Sequence, residues 1–156
     1  MSLESAKEYL HTHGAGERVR EFDVSSATVE LAAAALGCAP ARIAKTLSFL
    51  VEGKPVLIVT AGDAKVDNTK YKAQFHTKAA MLPREQVEEL VGHAVGGVCP
   101  FGVKDGVEVY LDGSMRRFDT VFPAAGSANS AIELTLPELE ALSQSKGWID
   151  VCKNWA

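Results

Sequence analysis

Apolar residues Leu3, Ala6, Tyr9 and Leu10 fall on one side of a helical wheel and predict a helix over about residues 3–13, ending at Gly14. RVREF (18–22) alternates like a short strand. Ser25 or Ser26 is placed to cap an alanine-rich helix, ATVELAAAAL (27–36), which Gly37 ends. A hairpin is predicted next, from IAKTLSFLVE (43–52) through a Gly53-Lys54 turn to PVLIVTAG (55–62). Its second arm is apolar without alternation, the pattern of a strand covered on both faces.

VDNTKYKAQF (66–75) reads as a helix with Asp67 or Asn68 near its start, and PREQVEELVG (83–92) as a stronger one with Pro83 in the first turn and Gly92 as its stop. Three strands follow, VEVYLD (107–112), TVFPAAG (120–126) and SAIELT (130–135). Thr135 and Glu138 form a capping box that starts the last helix, LPELEALSQS (136–145). Helices and strands interleave while some strands are hairpin-linked, so a mixed α/β fold of the α+β type is expected.

Composition narrows the class without naming a chemistry. The 156 residues are expected to form a single domain, 1–156, with a core of ordinary size. No apolar run approaches a membrane span and no signal peptide is legible at the N-terminus. Cys38, Cys99 and Cys152 are odd in number and far apart, which suits reduced thiols in a cytoplasmic protein. The net charge of −4 argues against a general DNA- or RNA-coating protein, and no DNA or membrane partner is expected. The densest basic segment, Lys65, Lys70, Lys72 and Lys78, and the pair Arg116-Arg117 are local patches that by themselves suit solvated faces.

The candidate chemistry is sparse. His11, His13, His76 and His93 have no partners at ligand spacing, so no metal site is expected. Cys99 has no committed base and suits an inert small hydrophobe better than a nucleophile. There is no G-x-S-x-G elbow. GSANS (126–130) offers Ser127, Asn129 and Ser130, equally suited to a polar connection or a site. The loop AVGGVCPFG (94–102) is neither a Walker nor a dinucleotide fingerprint. Its glycines permit close approach to backbone amides, which can hold an anion or polarise a carbonyl, although alone it is an ordinary turn. Lys45 stands in a strand that otherwise wants burial, so its ammonium reaches the rim or meets an anion.

In this order, RIAKTLSFLVEGKPVLIVTAGDAKVDNTKYKAQF (42–75), VGGVCPFGV (95–103) and AAGSANSAIELT (124–135) resemble the YbaK/prolyl-tRNA-synthetase-associated editing domain family, from about Ser26 to the C-terminus. The most specific elements are the strand lysine in AKTL and the G-x-x-x-P loop from Gly96 to Pro100. The resemblance implies a mixed, partly barrel-like β-sheet surrounded by helices. It implies hydrolysis of mischarged aminoacyl-tRNA at its 3′ acceptor end, usually tRNA(Pro), by a free-standing protein working in trans, without metal or organic cofactor. Prolyl-tRNA synthetase is the candidate protein partner, and a non-catalytic tRNA- or synthetase-binding module is the alternative.

By the same resemblance, Lys45 engages the phosphate end of the terminal adenosine and Thr46 lines the pocket beside it. Gly96 and Gly97, with Val98, Cys99, Pro100, Phe101 and Gly102, form the loop that holds the ester. Water, the terminal ribose hydroxyl or the substrate itself supplies the nucleophile. Ala131 departs from the aspartate expected in the cysteinyl-tRNA(Pro) branch. Ser127 and Asn129 then suggest a pocket for a small amino acid such as Ala, Ser or Thr, with Cys specificity in doubt.

Overall fold

The computed structural model describes residues 2–26, 28–93 and 98–153. In chain order the elements are α1 (Ser2–Thr12), β1 (Arg20–Glu21), α2 (Val29–Leu36), β2 (Ile43–Val51), β3 (Lys54–Ala61), β4 (Lys65–Val66), α3 (Asn68–Phe75), α4 (Arg84–Val91), β5 (Glu108–Asp112), β6 (Thr120–Pro123), β7 (Ser130–Ala131), β8 (Leu134–Thr135), α5 (Leu136–Ser143), β9 (Trp148–Ile149) and β10 (Cys152–Lys153). Six strands form a curled mixed sheet in the order β8-β6-β2-β3-β5-β9. The β2–β3 hairpin at its centre is antiparallel, while β6 joins β2 and β5 joins β3 in parallel. Two small antiparallel pairs, β1–β7 and β4–β10, close the ends.

The hairpin is fixed by its turn. Glu52 and Gly53 both have positive φ, 50° and 81°, and Val51 pairs directly with Lys54. That is the mirror-image two-residue turn whose twist suits antiparallel strands. The turn therefore lies one residue earlier than the sequence pattern predicts, and Lys54 opens β3 rather than turning. Leu57, Ile58 and Val59 of β3 are fully buried, as its unbroken apolar run requires, each contributing about 1.5–3 kcal/mol. An aromatic row, Phe49–Tyr71–Phe75–Tyr110, with centroids 4.8–5.4 Å apart, locks α3 to the sheet.

Several boundaries move for local reasons. α2 is capped by Thr28, whose side-chain oxygen accepts from Leu31 N–H (3.2 Å), and not by Ser25 or Ser26. Asp67 is the cap of α3, accepting from the Thr69 and Lys70 amides. Pro83 is the N-cap residue of α4, its ψ of 139° still extended, and the helix begins at Arg84. The strand expected over 130–135 divides. β7 pairs with β1 and β8 with β6, because Ile132 N–H turns to Pro123 O (3.0 Å) between them. The segment 18–22 keeps only two strand residues, its start being taken by a 3-10 turn at Gly16–Arg18. The capping box of α5 forms as expected, with Thr135 and Glu138 bonded reciprocally. Ala6 and Leu10 of α1 are buried, and Tyr9 O–H donates to Leu142 O (2.6 Å), tying α1 to α5. The side chain of Leu3 lies outside the described residues.

Candidate functional site

Lys45 lies in the wall of a cleft of about 460 Å³, a size that suits a small ligand. Its lining comes from Thr28 and, in α2, Val29 and Ala32, from β2 between Ile43 and Ser48, from Leu82, Arg84 and Val87, and from Val98, Ala124 and Ala131. Met81, 58% exposed, stands at the mouth. A depression of similar size, about 500 Å³, lies beside α3 between Lys72 and Lys78. The cleft is the better candidate because Lys45, Thr46 and Val98 all line it.

The lysine is held by more than its strand. Its Nζ donates to the Ala64 carbonyl (2.5 Å), and an ammonium has three donors, so two remain for an anion. Ala64 belongs to the turn after β3, which is braced twice. The Ala61 amide donates to Ser114 Oγ (3.1 Å), and Arg117 grips Asp63 with both nitrogens (2.9 and 2.5 Å). That grip holds the Asp63 carboxyl below the ordinary carboxylate range. Burial pushes the Lys45 ammonium below the usual lysine range, and nearby Asp63 opposes the shift. Cys152 also neighbours this lysine. Burial and then Asp112 push its thiol up to about 12, so it is neutral at ordinary pH and Asp63 is the effective anion.

The loop residues divide sharply. Val98 faces the cleft, whereas Cys99, Pro100 and Phe101 turn into the interior. Cys99 is fully buried, which pushes its thiol up to about 12 and leaves it unreactive. Phe101 O accepts from His93, so His93 carries its proton on Nε2 (2.6 Å), and Cys99 Sγ lies 3.5 Å from the same nitrogen. His93 was not singled out as a site residue by sequence, yet it clamps the exit of this loop. Gly102, with φ of 64°, passes so close to α1 that a Cβ would sit 3.0 Å from Ser5 O. Gly96 and Gly97 lie outside the described residues.

Ser127 is engaged within its own turn, and Asn129 both there and with the backbone at Phe22. Ser127 Oγ bonds Asn129 Oδ1 (2.9 Å) and Ser130 Oγ (2.7 Å), and Asn129 Nδ2 donates to Phe22 O (3.0 Å). Their neighbours Ser130 and Ala131 line the cleft instead. Arg42, which sequence reading passed over, ties the 40–42 turn to Thr120 and Glu133 below the cleft. No group of three or more His, Cys, Asp or Glu able to hold a metal occurs among the described residues. No described helix is long and apolar enough to cross a membrane.

Comparison with known proteins places this geometry. The chain is 56% identical over 156 residues to the uncharacterized protein YwhH of Bacillus subtilis (strain 168), covering 99% of both. It is 28% identical over 131 residues to the proline–tRNA ligase of Leuconostoc citreum (strain KM20), covering 81% of this chain and 23% of the ligase. A crystal structure described as a candidate trans-editing enzyme for prolyl tRNA synthetase superposes with a TM-score of 0.88 at 29% identity, covering 97% of each chain. Another, the hypothetical protein APE2540, gives 0.85 at 25% identity, covering 96% of this chain and 99% of the other. The sequence profile of the aminoacyl-tRNA editing domain matches residues 23–142, a span that holds every residue lining the cleft, Lys45 included, and the chain belongs to that family.

Proposed function

We propose that the protein is a trans-acting aminoacyl-tRNA deacylase that hydrolyses the ester of mischarged tRNA, acting as one unit and without a cofactor. The observation that carries the reading is the Lys45 ammonium, half-buried with donors to spare in a cleft that Val98 also lines. Lys45 anchors the phosphate end of the terminal adenosine. The loop bearing Gly96 and Gly97 is the segment that orients the ester, a role for which backbone amides suit the charge developing on its oxygen. Water adds to the carbonyl carbon, the carbon–oxygen bond to the ribose breaks, and the ribose oxygen leaves with a proton. This needs no enzyme nucleophile, which agrees with the buried, high-pKa thiol of Cys99. Ala124, Ala131 and Val98 give the cleft small apolar lining, which favours Ala, Ser, Thr or Cys as the acyl group, with tRNA(Pro) the first tRNA to try. Prolyl-tRNA synthetase is the candidate partner.

The test is a panel of mischarged tRNAs incubated with the pure protein. Deacylation of at least one above its spontaneous rate, lost on Lys45→Ala, supports the reading. Failure on the whole panel, or full activity of Lys45→Ala, overturns it. Binding of tRNA without turnover identifies a capture module instead.

A further inference from the structure

Strand β2 has an interruption along one edge. Toward β3 it is paired from Ala44 to Val51. Its opposite edge is shared by two partners. β6 takes it at Ile43 and Ala44. The 80–82 segment takes it again from Ser48 to Leu50, through Leu82 N–H to Ser48 O (3.0 Å) and Leu50 N–H to Ala80 O (2.8 Å). Thr46 stands between them, in the lining of the cleft.

Strand parity settles which way its backbone points. The N–H and C=O of one residue in an antiparallel strand face the same side, and alternate residues face opposite sides. Ser48 and Leu50 face away from β3, so Thr46 does too. Pro55 gives an independent check. It stands opposite Leu50 and has no N–H to donate, which fits the non-hydrogen-bonded pair that the same parity assigns. Among the described residues, nothing bonds the Thr46 amide or carbonyl along that edge. Its Oγ1 is buried and unpartnered as well. A donor and an acceptor therefore lie side by side in the plane of the sheet. The cleft around that edge is largely apolar, lined by Ile43, Ala32 and Phe122 as well as by Leu82 and Val87.

We infer that Thr46 is the base-recognition point of the cleft. Its amide and carbonyl take the amine-bearing edge of adenine, on the nucleotide whose phosphate Lys45 holds. The amide donates to a ring nitrogen and the carbonyl accepts from the exocyclic amine, so the flat base extends the open edge of the sheet within the apolar cleft. This rests on the reading that a tRNA terminal adenosine enters the cleft. The adjacent donor and acceptor left open at Thr46 favour the base over the aminoacyl group as occupant.

The probe is adenosine 5′-monophosphate, compared with purine riboside 5′-monophosphate, which lacks the amine, in 1H–15N spectra of the labelled protein. Expected is a shift of the Thr46 amide with the adenine nucleotide and binding of the amine-free nucleotide weaker by about tenfold or more, the worth of one good hydrogen bond. Thr46→Pro deletes the donor at an edge position that makes no ladder bond, where proline is tolerated. It should weaken the adenine nucleotide about tenfold or more and narrow the difference between the two probes. Thr46→Val keeps amide and carbonyl and should retain it. Equal binding of the two nucleotides to the wild type, or an unmoved Thr46 amide, overturns the inference whether or not Thr46→Pro folds. Deacylation assayed in parallel separates the two readings. Turnover without amine discrimination sinks base recognition alone, and discrimination without turnover sinks only the enzymatic reading.

Discussion

Replacing Lys45 with Met distinguishes a lysine kept for its ligand from one kept as a strut. Met matches the reach of the aliphatic stem, so strand packing changes little. Two terms then oppose each other. Burial disfavours the ammonium, as its lowered pKa records, and Met removes that penalty. Against this, the Ala64 carbonyl loses the donor 2.5 Å away, a cost of about 1–3 kcal/mol if the oxygen stays dry. Lys45 is only half-buried, so solvent can replace part of that bond. The net expectation is a stability change within about 1 kcal/mol of zero, read as a shift in urea midpoint at constant m. Function should respond very differently. A charge-assisted bond to a phosphate is worth about 1.5–3 kcal/mol, so kcat/KM on a mischarged tRNA should fall by about 10- to 150-fold. A stability loss above about 3 kcal/mol, with activity following only the folded fraction, would make Lys45 a strut and refute the reasoning.

Three further outcomes are expected. The ammonium is the phosphate-binding form, so deacylation corrected for spontaneous hydrolysis should decline as pH rises through a Lys45 pKa below that of free lysine; Asp63→Asn removes the opposing anion and should move this limb to lower pH in a pH–rate profile. Gly62→Ala would place a Cβ 2.1 Å from Pro40 O and 2.8 Å from Val29 Cγ1, forcing the 40–42 turn and the cleft-lining Val29 to shift; thermal unfolding should show a loss above about 2 kcal/mol, with KM raised. Glu138 is held at about 2 by Arg18 and then by the Thr135 amide, so its contribution is present above the ordinary carboxylate range and lost as pH falls toward 2. The pair is exposed, so the slope should amount to only about 1 kcal/mol in acid titration and should flatten in Glu138→Gln.

The chain's periodicities made most elements legible. The β2–β3 hairpin, the four helices from α2 to α5 and the capping box all follow from local patterns that the structure keeps. What escaped was set by partners distant in sequence. The break at Ile132 depends on Pro123 and on β1, whose Glu21 pairs with Ser130 far along the chain, so no local alternation could reveal it. The inward turn of Cys99 and Phe101 depends on His93, a histidine whose fixed partner is a carbonyl rather than a metal or thiolate. Lys45 stands out because a lysine interrupts an apolar strand, whereas Thr46 enters only through the family resemblance, and the setting of neither is legible. The Ala64 carbonyl, the Arg117 grip on Asp63 and the unpaired edge at Thr46 arise from turns and strand order, which one-dimensional patterns do not encode.

The turn at Glu52–Gly53 lies at the far end of the hairpin from the cleft and touches none of it, yet it sets a parity on which the cleft depends. A one-residue insertion there has two outcomes. If it is absorbed as a three-residue loop with a bulge, every pair from Val51 back to Ala44 survives. If the strands slip instead, each side chain of β2 changes face relative to its partner, although no cleft residue has been altered. Natural length variation in this turn is therefore constrained at a distance. Homologues that lengthen it should do so by bulge-compatible steps or in pairs of residues, and an odd change without a bulge should mark a chain that has abandoned this site.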